Sequence, residues 1–103
     1  EISELRILGA LGAGGRPGAE SSVLKMRGTE LGQAMTELAM QAIGYYAQPH
    51  DRDYLSPGSN AEPIGPDYAA TVTPRYFNYR KASIYGGSNE IQNNIIAKLI
   101  LGL

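Results

Sequence analysis

Apolar positions fall on helical spacings almost from the first residue. Ile2, Leu5, Leu8 and Leu11 recur every third position, which predicts a helix over residues 1–11 with no capping residue ahead of it, the pattern expected of a chain entered within a helix. The stretch Gly12-Ala-Gly-Gly-Arg-Pro-Gly18 ends it, because glycine accepts positive φ and Pro17 cannot continue an α-helix. From Ala19 to Gly44, the apolar or small positions Leu24, Gly28, Leu31, Met35, Leu38 and Ala42 alternate steps of four and three, as on a helix packed along its length. This Met/Leu stripe reads as core packing. Gly28 and Gly32 share one side of the helix and permit a neighbouring backbone to approach, although each lowers helix propensity by about 1 kcal/mol.

Residues 48–71 change character: Pro49, Pro57, Pro63 and Pro66 alternate with glycine, aspartate, serine and asparagine, so a long loop is expected. Loops beyond about 15 residues are uncommon in compact domains. Tyr45, Tyr46, Tyr54 and Tyr68 give this one aromatic anchors for packing on a larger protein or a partner subunit, while its composition also allows a surface linker. Thr73-Pro74 reads as the N-cap and first position of a short helix reaching Ser83. After Tyr85-Gly-Gly87, Ser88 is placed to cap a last helix with a wide apolar face of Ile91, Ile95, Ile96, Leu99 and Ile100. No alternating run of strand length occurs. The fold class is therefore all-α, most simply an up-and-down four-helix bundle.

Composition narrows the partners. With 103 residues, 43% of them apolar, one modest domain is expected. Nine Lys and Arg against ten Asp and Glu leave a net charge of -1, too small to draw in nucleic acid or anionic lipid. There is no cysteine and one histidine, His50, so a disulfide framework and a His/Cys metal site are both excluded. His50 itself reads as a solvated loop residue. No apolar run reaches the roughly 20 residues that span a bilayer, and the N-terminus lacks the order of a signal peptide, so no membrane insertion and a cytoplasmic location are expected.

Two segments invite chemistry. The Gly12–Gly18 stretch is not a dinucleotide loop: no strand precedes it, and Pro17 stands where the fingerprint needs its third glycine. The segment Tyr85–Glu90 is different. Two glycines and a capping serine expose backbone N–H groups at a helix start, which suits an anion or a carbonyl oxygen. The same residues also describe an ordinary interhelical turn, with Glu90 complementing the helix dipole.

The order of residues separates these two readings. Ile84-Tyr-Gly-Gly-Ser-Asn-Glu-Ile-Gln92, followed by Asn94-Ile-Ile-Ala97 and Leu101-Gly-Leu103, resembles the C-terminal signature of the acyl-CoA dehydrogenases. Gly18-Ala-Glu-Ser-Ser-Val-Leu-Lys25, Glu30-Leu31, Thr36-Glu-Leu-Ala-Met-Gln-Ala-Ile-Gly44 and Arg75-Tyr-Phe-Asn-Tyr-Arg80 extend the similarity, and residues 45–71 match least. The runs Tyr76-Phe-Asn78 and Tyr85–Glu90 also resemble bacterial members of the pimeloyl-CoA dehydrogenase large-subunit type.

The resemblance implies that residues 1–103 are the C-terminal helical bundle of a larger flavoenzyme that also has an N-terminal helical domain and a middle β-domain. FAD would lie between domains and subunits of a homotetramer or another homo- or hetero-oligomer. In the family reaction of fatty acid metabolism, a carboxylate removes the α-proton of an acyl-CoA while hydride passes to FAD, giving a 2-enoyl-CoA. Electrons then pass to an electron-transfer flavoprotein. Such a reaction needs both a positioned base and a polarised thioester carbonyl.

By the same resemblance, Gly86 and Gly87 border the acyl thioester, and Ser88, Asn89 and Glu90 contact FAD. Gln41 and Gly44 match a turn that approaches the FAD of an adjacent subunit, with Tyr45 where that turn has a second glycine. Arg80 matches a basic residue before the signature and reads equally as a cation at a helix C-terminus. No catalytic residue is assigned, because Gly86 occupies the position where many members carry the glutamate base. Others carry it on an earlier helix or lack it. The isolated 103 residues are expected to be inactive and to bind FAD negligibly. Three alternatives stay open: a helical assembly module without flavin, a non-catalytic subunit of a heteromeric dehydrogenase, and an acyl-CoA oxidase or flavin monooxygenase on the same fold.

Overall fold

A computed structural model describes residues 1–16 and 18–103. The expectations placed on Pro17 lie outside the described residues. The regular elements are all helical: α1 (Ile2–Gly12), α2 (Ala19–Ile43), α3 (Arg52–Leu55), α4 (Val72–Tyr79) and α5 (Asn89–Leu101). Short 3₁₀ segments, Gly44–Ala47 and Arg80–Ser83, follow α2 and α4. The all-α expectation holds, with α1, α2, α4 and α5 as the four helices of two or more turns and α3 a single turn. Backbone contacts divide the chain into two units, Glu1–Leu31 with Ala82–Leu103, and Gly32–Lys81.

The first unit holds α1, the first half of α2, and α5. Ser21 Oγ donates to the Gly18 carbonyl at 2.8 Å, tying the entry to α2. At the far end of α5, Gly102 adopts φ 68°, and the Leu103 N–H beyond it donates to the Ala97 carbonyl at 3.3 Å to close the helix. Among the described residues of this unit, Ala19, Ser22, Ala82 and Gln92 are buried.

The second unit holds the rest of α2, the loop and α4. Its buried residues, Ala47 and Ala69, are again small. Asp51 organises the loop, one carboxylate oxygen accepting from Tyr54 N–H at 3.2 Å and the other from Ile64 N–H at 3.3 Å. The Tyr46 ring lies against Gly65, whose φ of 78° and lack of a side chain allow that approach. The loop is thus tied to itself, while Tyr45 remains 94% exposed.

Two local expectations are corrected. Helix α4 begins at Val72, two residues before the Pro74 start that a Thr73 cap implies. The Thr73 hydroxyl donates to the Ala47 carbonyl at 2.8 Å instead of capping, and Pro74 sits in the first turn, where a missing N–H goes unnoticed. The helix is also shorter than expected, ending at Tyr79 with a 3₁₀ segment after it.

The Met/Leu stripe of α2 is not core. Leu31, Met35 and Leu38 are 64%, 62% and 63% exposed, and among the described residues no large side chain is fully buried. A periodic apolar stripe records that a helix packs on something, without recording whether that something lies in the same chain.

Arg80 also departs from expectation, because its side chain is neither a simple helix-end cation nor exposed. Its guanidinium donates to the Gln33 carbonyl at 3.0 Å, to Thr36 Oγ1 at 3.1 Å and to the Tyr76 carbonyl at 3.4 Å. It also lies 4.2 Å from the centroid of the Tyr76 ring, and Gln33 Nε2 donates back to the Arg80 carbonyl at 3.2 Å. This clamp joins the end of α4 to α2.

The two glycines of α2 separate clearly. A Cβ on Gly32 would lie 2.5 Å from the Tyr79 ring, whereas one on Gly28 would meet nothing. Close approach at Gly32 is by a ring rather than a backbone. Gly28→Ala is therefore expected to raise stability by about 1 kcal/mol through helix propensity. Gly32→Ala should lower it by about 1–3 kcal/mol, because overpacking outweighs that gain. Thermal midpoints of the two variants measure the contrast, and equal shifts would contradict it.

Candidate functional site

Two consecutive glycines in the left-handed region, Gly86 at φ 66° and Gly87 at φ 87°, turn the chain into α5. Side chains rarely adopt this conformation, so the turn demands glycine twice. Their surroundings differ. No atom lies within 4 Å of the place a Gly86 Cβ would take, whereas a Cβ on Gly87 would stand 2.6 Å from Gln92 Nε2. The turn is open at Gly86 and closed by Gln92 at Gly87.

Ser88 caps α5 as its position predicts. Its hydroxyl accepts from Ile91 N–H at 3.3 Å, and its carbonyl accepts from Gln92 N–H at 3.0 Å. Asn89 is held by a residue distant in sequence: Lys25 Nζ donates to Asn89 Oδ1 at 3.1 Å. An ammonium has donors and no acceptor, so the oxygen of the Asn89 amide must face it and the NH₂ must face away.

Glu90 is exposed, and its carboxyl is held below the ordinary value of 4.5. The main cause is its own backbone N–H, followed by the Ser88 hydroxyl; slight desolvation opposes them, and the positive charge of Lys25 adds a smaller lowering. The carboxylate is therefore ionised at neutral pH. Because the folded pKa is depressed, its contribution to stability is present above pH 4.5 and is lost as pH falls through the folded value. An NMR titration should place the Glu90 midpoint below 4.5, and Ser88→Ala should move it upward. A Glu90 midpoint untouched by Ser88→Ala would remove the hydroxyl as a cause.

Gln41 and Gly44 belong to the second unit, at the end of α2. Gly44 ends the helix with φ 57° and open space where a Cβ would point, and Gln41 is exposed in the last turn. Gly86, Gly87, Ser88, Asn89 and Glu90 form one continuous locus. Lys25 and Gln92 join it through folding and were not among the expected site residues. Lys25 lies in the Gly18–Lys25 run and Gln92 in the last-helix run, but nothing in their spacing names their partners.

The family description "Acyl-CoA dehydrogenase, C-terminal domain" matches residues 4–101. The chain belongs to this family. Neither a curated protein nor a solved structure matches it. Among the described residues, no helix is long and apolar enough to cross a membrane.

Domains of the acyl-CoA dehydrogenase family are generally associated with FAD, and the donor set at α5 can be tested against that cofactor. A flavin nucleotide presents ring carbonyls and N–H groups, hydroxyls, and an anionic pyrophosphate. The NH₂ of Asn89 that faces away from Lys25 can donate to a carbonyl or hydroxyl oxygen, and the ionised Glu90 can accept from a hydroxyl or N–H. The same carboxylate would repel the pyrophosphate. The residues therefore fit the neutral parts of the nucleotide.

Proposed function

We propose that this chain is the C-terminal domain of a larger FAD-dependent acyl-CoA dehydrogenase, in which the Gly86–Gly87 turn borders the acyl thioester and the start of α5 contacts the flavin. The observation that carries this reading is the open side of the turn at Gly86, three residues before Asn89, whose amide turns its NH₂ away from Lys25. When bound, FAD supplies the acceptor for the β-hydrogen as hydride. The chain's own residues bind and orient: Ser88 holds the helix start in place, Asn89 and Glu90 present one donor and one acceptor, and Gly86 leaves room for the acyl chain.

No carboxylate stands at the turn itself. Glu90 is a poor base for a weakly acidic C–H, because its lowered pKa reduces its proton affinity. The base is therefore assigned to a residue outside these 103, or to a catalytic partner subunit. Leu31, Met35 and Leu38 on α2 support assembly, since an apolar stripe of this kind is favoured when covered. Gln41 and Gly44 fit the approach to a flavin of an adjacent subunit, and electron-transfer flavoprotein fits as the acceptor. The runs Tyr76-Phe-Asn78 and Tyr85–Glu90 favour the pimeloyl-type branch.

The full-length protein is expected to be yellow with bound FAD and to bleach anaerobically on addition of an acyl-CoA. Colourless protein despite added FAD sinks the reading; yellow protein that never bleaches points to the non-catalytic subunit. Two variants probe the site itself. Asn89→Asp keeps a partner for Lys25 but removes the NH₂ donor, and should weaken FAD binding by roughly tenfold. Lys25→Met frees the Asn89 amide to rotate and should weaken it less. Unchanged FAD affinity in Asn89→Asp would remove Asn89 from the flavin contacts.

A further inference from the structure

Gln92 is the residue of this region that packing explains least. It occupies the fourth position of α5, one turn beyond Ser88 and on the same face. Its side chain is only 9% exposed. No described residue hydrogen-bonds its carboxamide. Methionine or leucine would fill the same space without a polar group that no described residue pairs. The amide is not sealed in, however, because the described residues include no fully inaccessible polar side-chain atom that lacks a partner. Its Nε2 lies 2.6 Å from where a Gly87 Cβ would stand, directly against the turn whose other glycine opens outward.

We propose that Gln92 is a ligand-binding residue of the Gly86–Gly87 turn, its carboxamide donating to a carbonyl oxygen of the molecule that occupies the turn. The inference rests on the reading of this turn as an acyl and flavin site. It gives the bare Gly87 a second use beside its conformation: a methyl group there would push the amide off the turn. It also explains a polar residue at a buried position of α5, since the ligand supplies the missing acceptor. A neutral carbonyl suits this place better than an anion, because the Glu90 carboxylate stands in the same helical turn. The carbonyl comes from one of two sources, the acyl thioester or the flavin ring.

Gln92→Met in the full-length protein distinguishes them, because methionine keeps the length of the side chain and removes its hydrogen bond. The apo protein is expected to melt at the same temperature or higher. Binding is expected to weaken by roughly tenfold for one ligand. If the partner is the thioester, acyl-CoA loses affinity while the matching S-alkyl-CoA thioether, which lacks the carbonyl, does not. If it is the flavin ring, the loss appears in FAD affinity measured by flavin fluorescence. Gln92→Glu, similar in size and unable to donate when ionised, should lose the same contact and covers the case in which Gln92→Met does not fold.

Wild-type affinity for FAD, acyl-CoA and thioether in the variant overturns the role of Gln92 alone. Equal losses for thioester and thioether, with FAD affinity unchanged or a lowered melting temperature, overturn it also, since packing accounts for them. A wild-type protein that binds neither FAD nor acyl-CoA overturns the functional reading of the turn and this inference with it.

Discussion

Gly87→Ala is expected to combine backbone strain with loss of the Gln92 amide from the turn. A non-glycine residue at φ 87° is strained by about 1–2 kcal/mol. The added Cβ would also stand 2.6 Å from Gln92 Nε2, so the end of that side chain must move off the turn. Gly86→Ala provides the internal control: its φ of 66° carries the strain, but nothing lies within 4 Å of its Cβ position. FAD affinities of the two full-length variants should therefore differ, Gly87→Ala losing both stability and flavin and Gly86→Ala losing mainly stability. Equal FAD affinities would mean that the position of Gln92 against the turn does not matter.

The second large effect is expected at Arg80. Its guanidinium serves acceptors on two helices, the Gln33 carbonyl and Thr36 Oγ1 on α2 and the Tyr76 carbonyl on α4. Hydrogen bonds to charged groups contribute about 1.5–3 kcal/mol each, and partial exposure reduces the sum, so Arg80→Ala should destabilise by about 2–4 kcal/mol. Arg80→Lys should recover less than half, because an ammonium lacks the planar fork and cannot lie over the Tyr76 ring in the same way. Thr36→Val should be mildly destabilising in the wild-type background and nearly silent in Arg80→Ala, as expected for partners in one network. A lysine variant as stable as wild type would show that charge, rather than the fork, holds the clamp.

Much of the molecule was legible from residue order. Helices α1, α2 and α5 follow from apolar spacing, and Ser88 capping α5 from its place after two glycines. Family membership followed from the runs around Tyr85–Glu90, and the match over residues 4–101 bears it out. The start of α4 lies two residues earlier than the Thr73-Pro74 pair suggests, because Thr73 bonds a carbonyl 26 positions away rather than the helix end beside it. The α2 stripe was read as core because periodicity looks the same whether the cover lies in this chain or in another.

What the sequence determined by itself was local: where the backbone coils, where glycine and proline stop it, and which turn invites a ligand. Those features depend on residues within about four positions of one another, the range of a helical hydrogen bond and of a cap. Tertiary structure alone decided the long-range pairs: Arg80 with Gln33 at a separation of 47, and Lys25 with Asn89 at 64. It also decided that Gln92, although only five positions from Gly87, turns its amide against the glycine rather than outward. Pattern and propensity name the face on which a side chain stands, but the partner it meets is set by which segments the folded chain brings alongside.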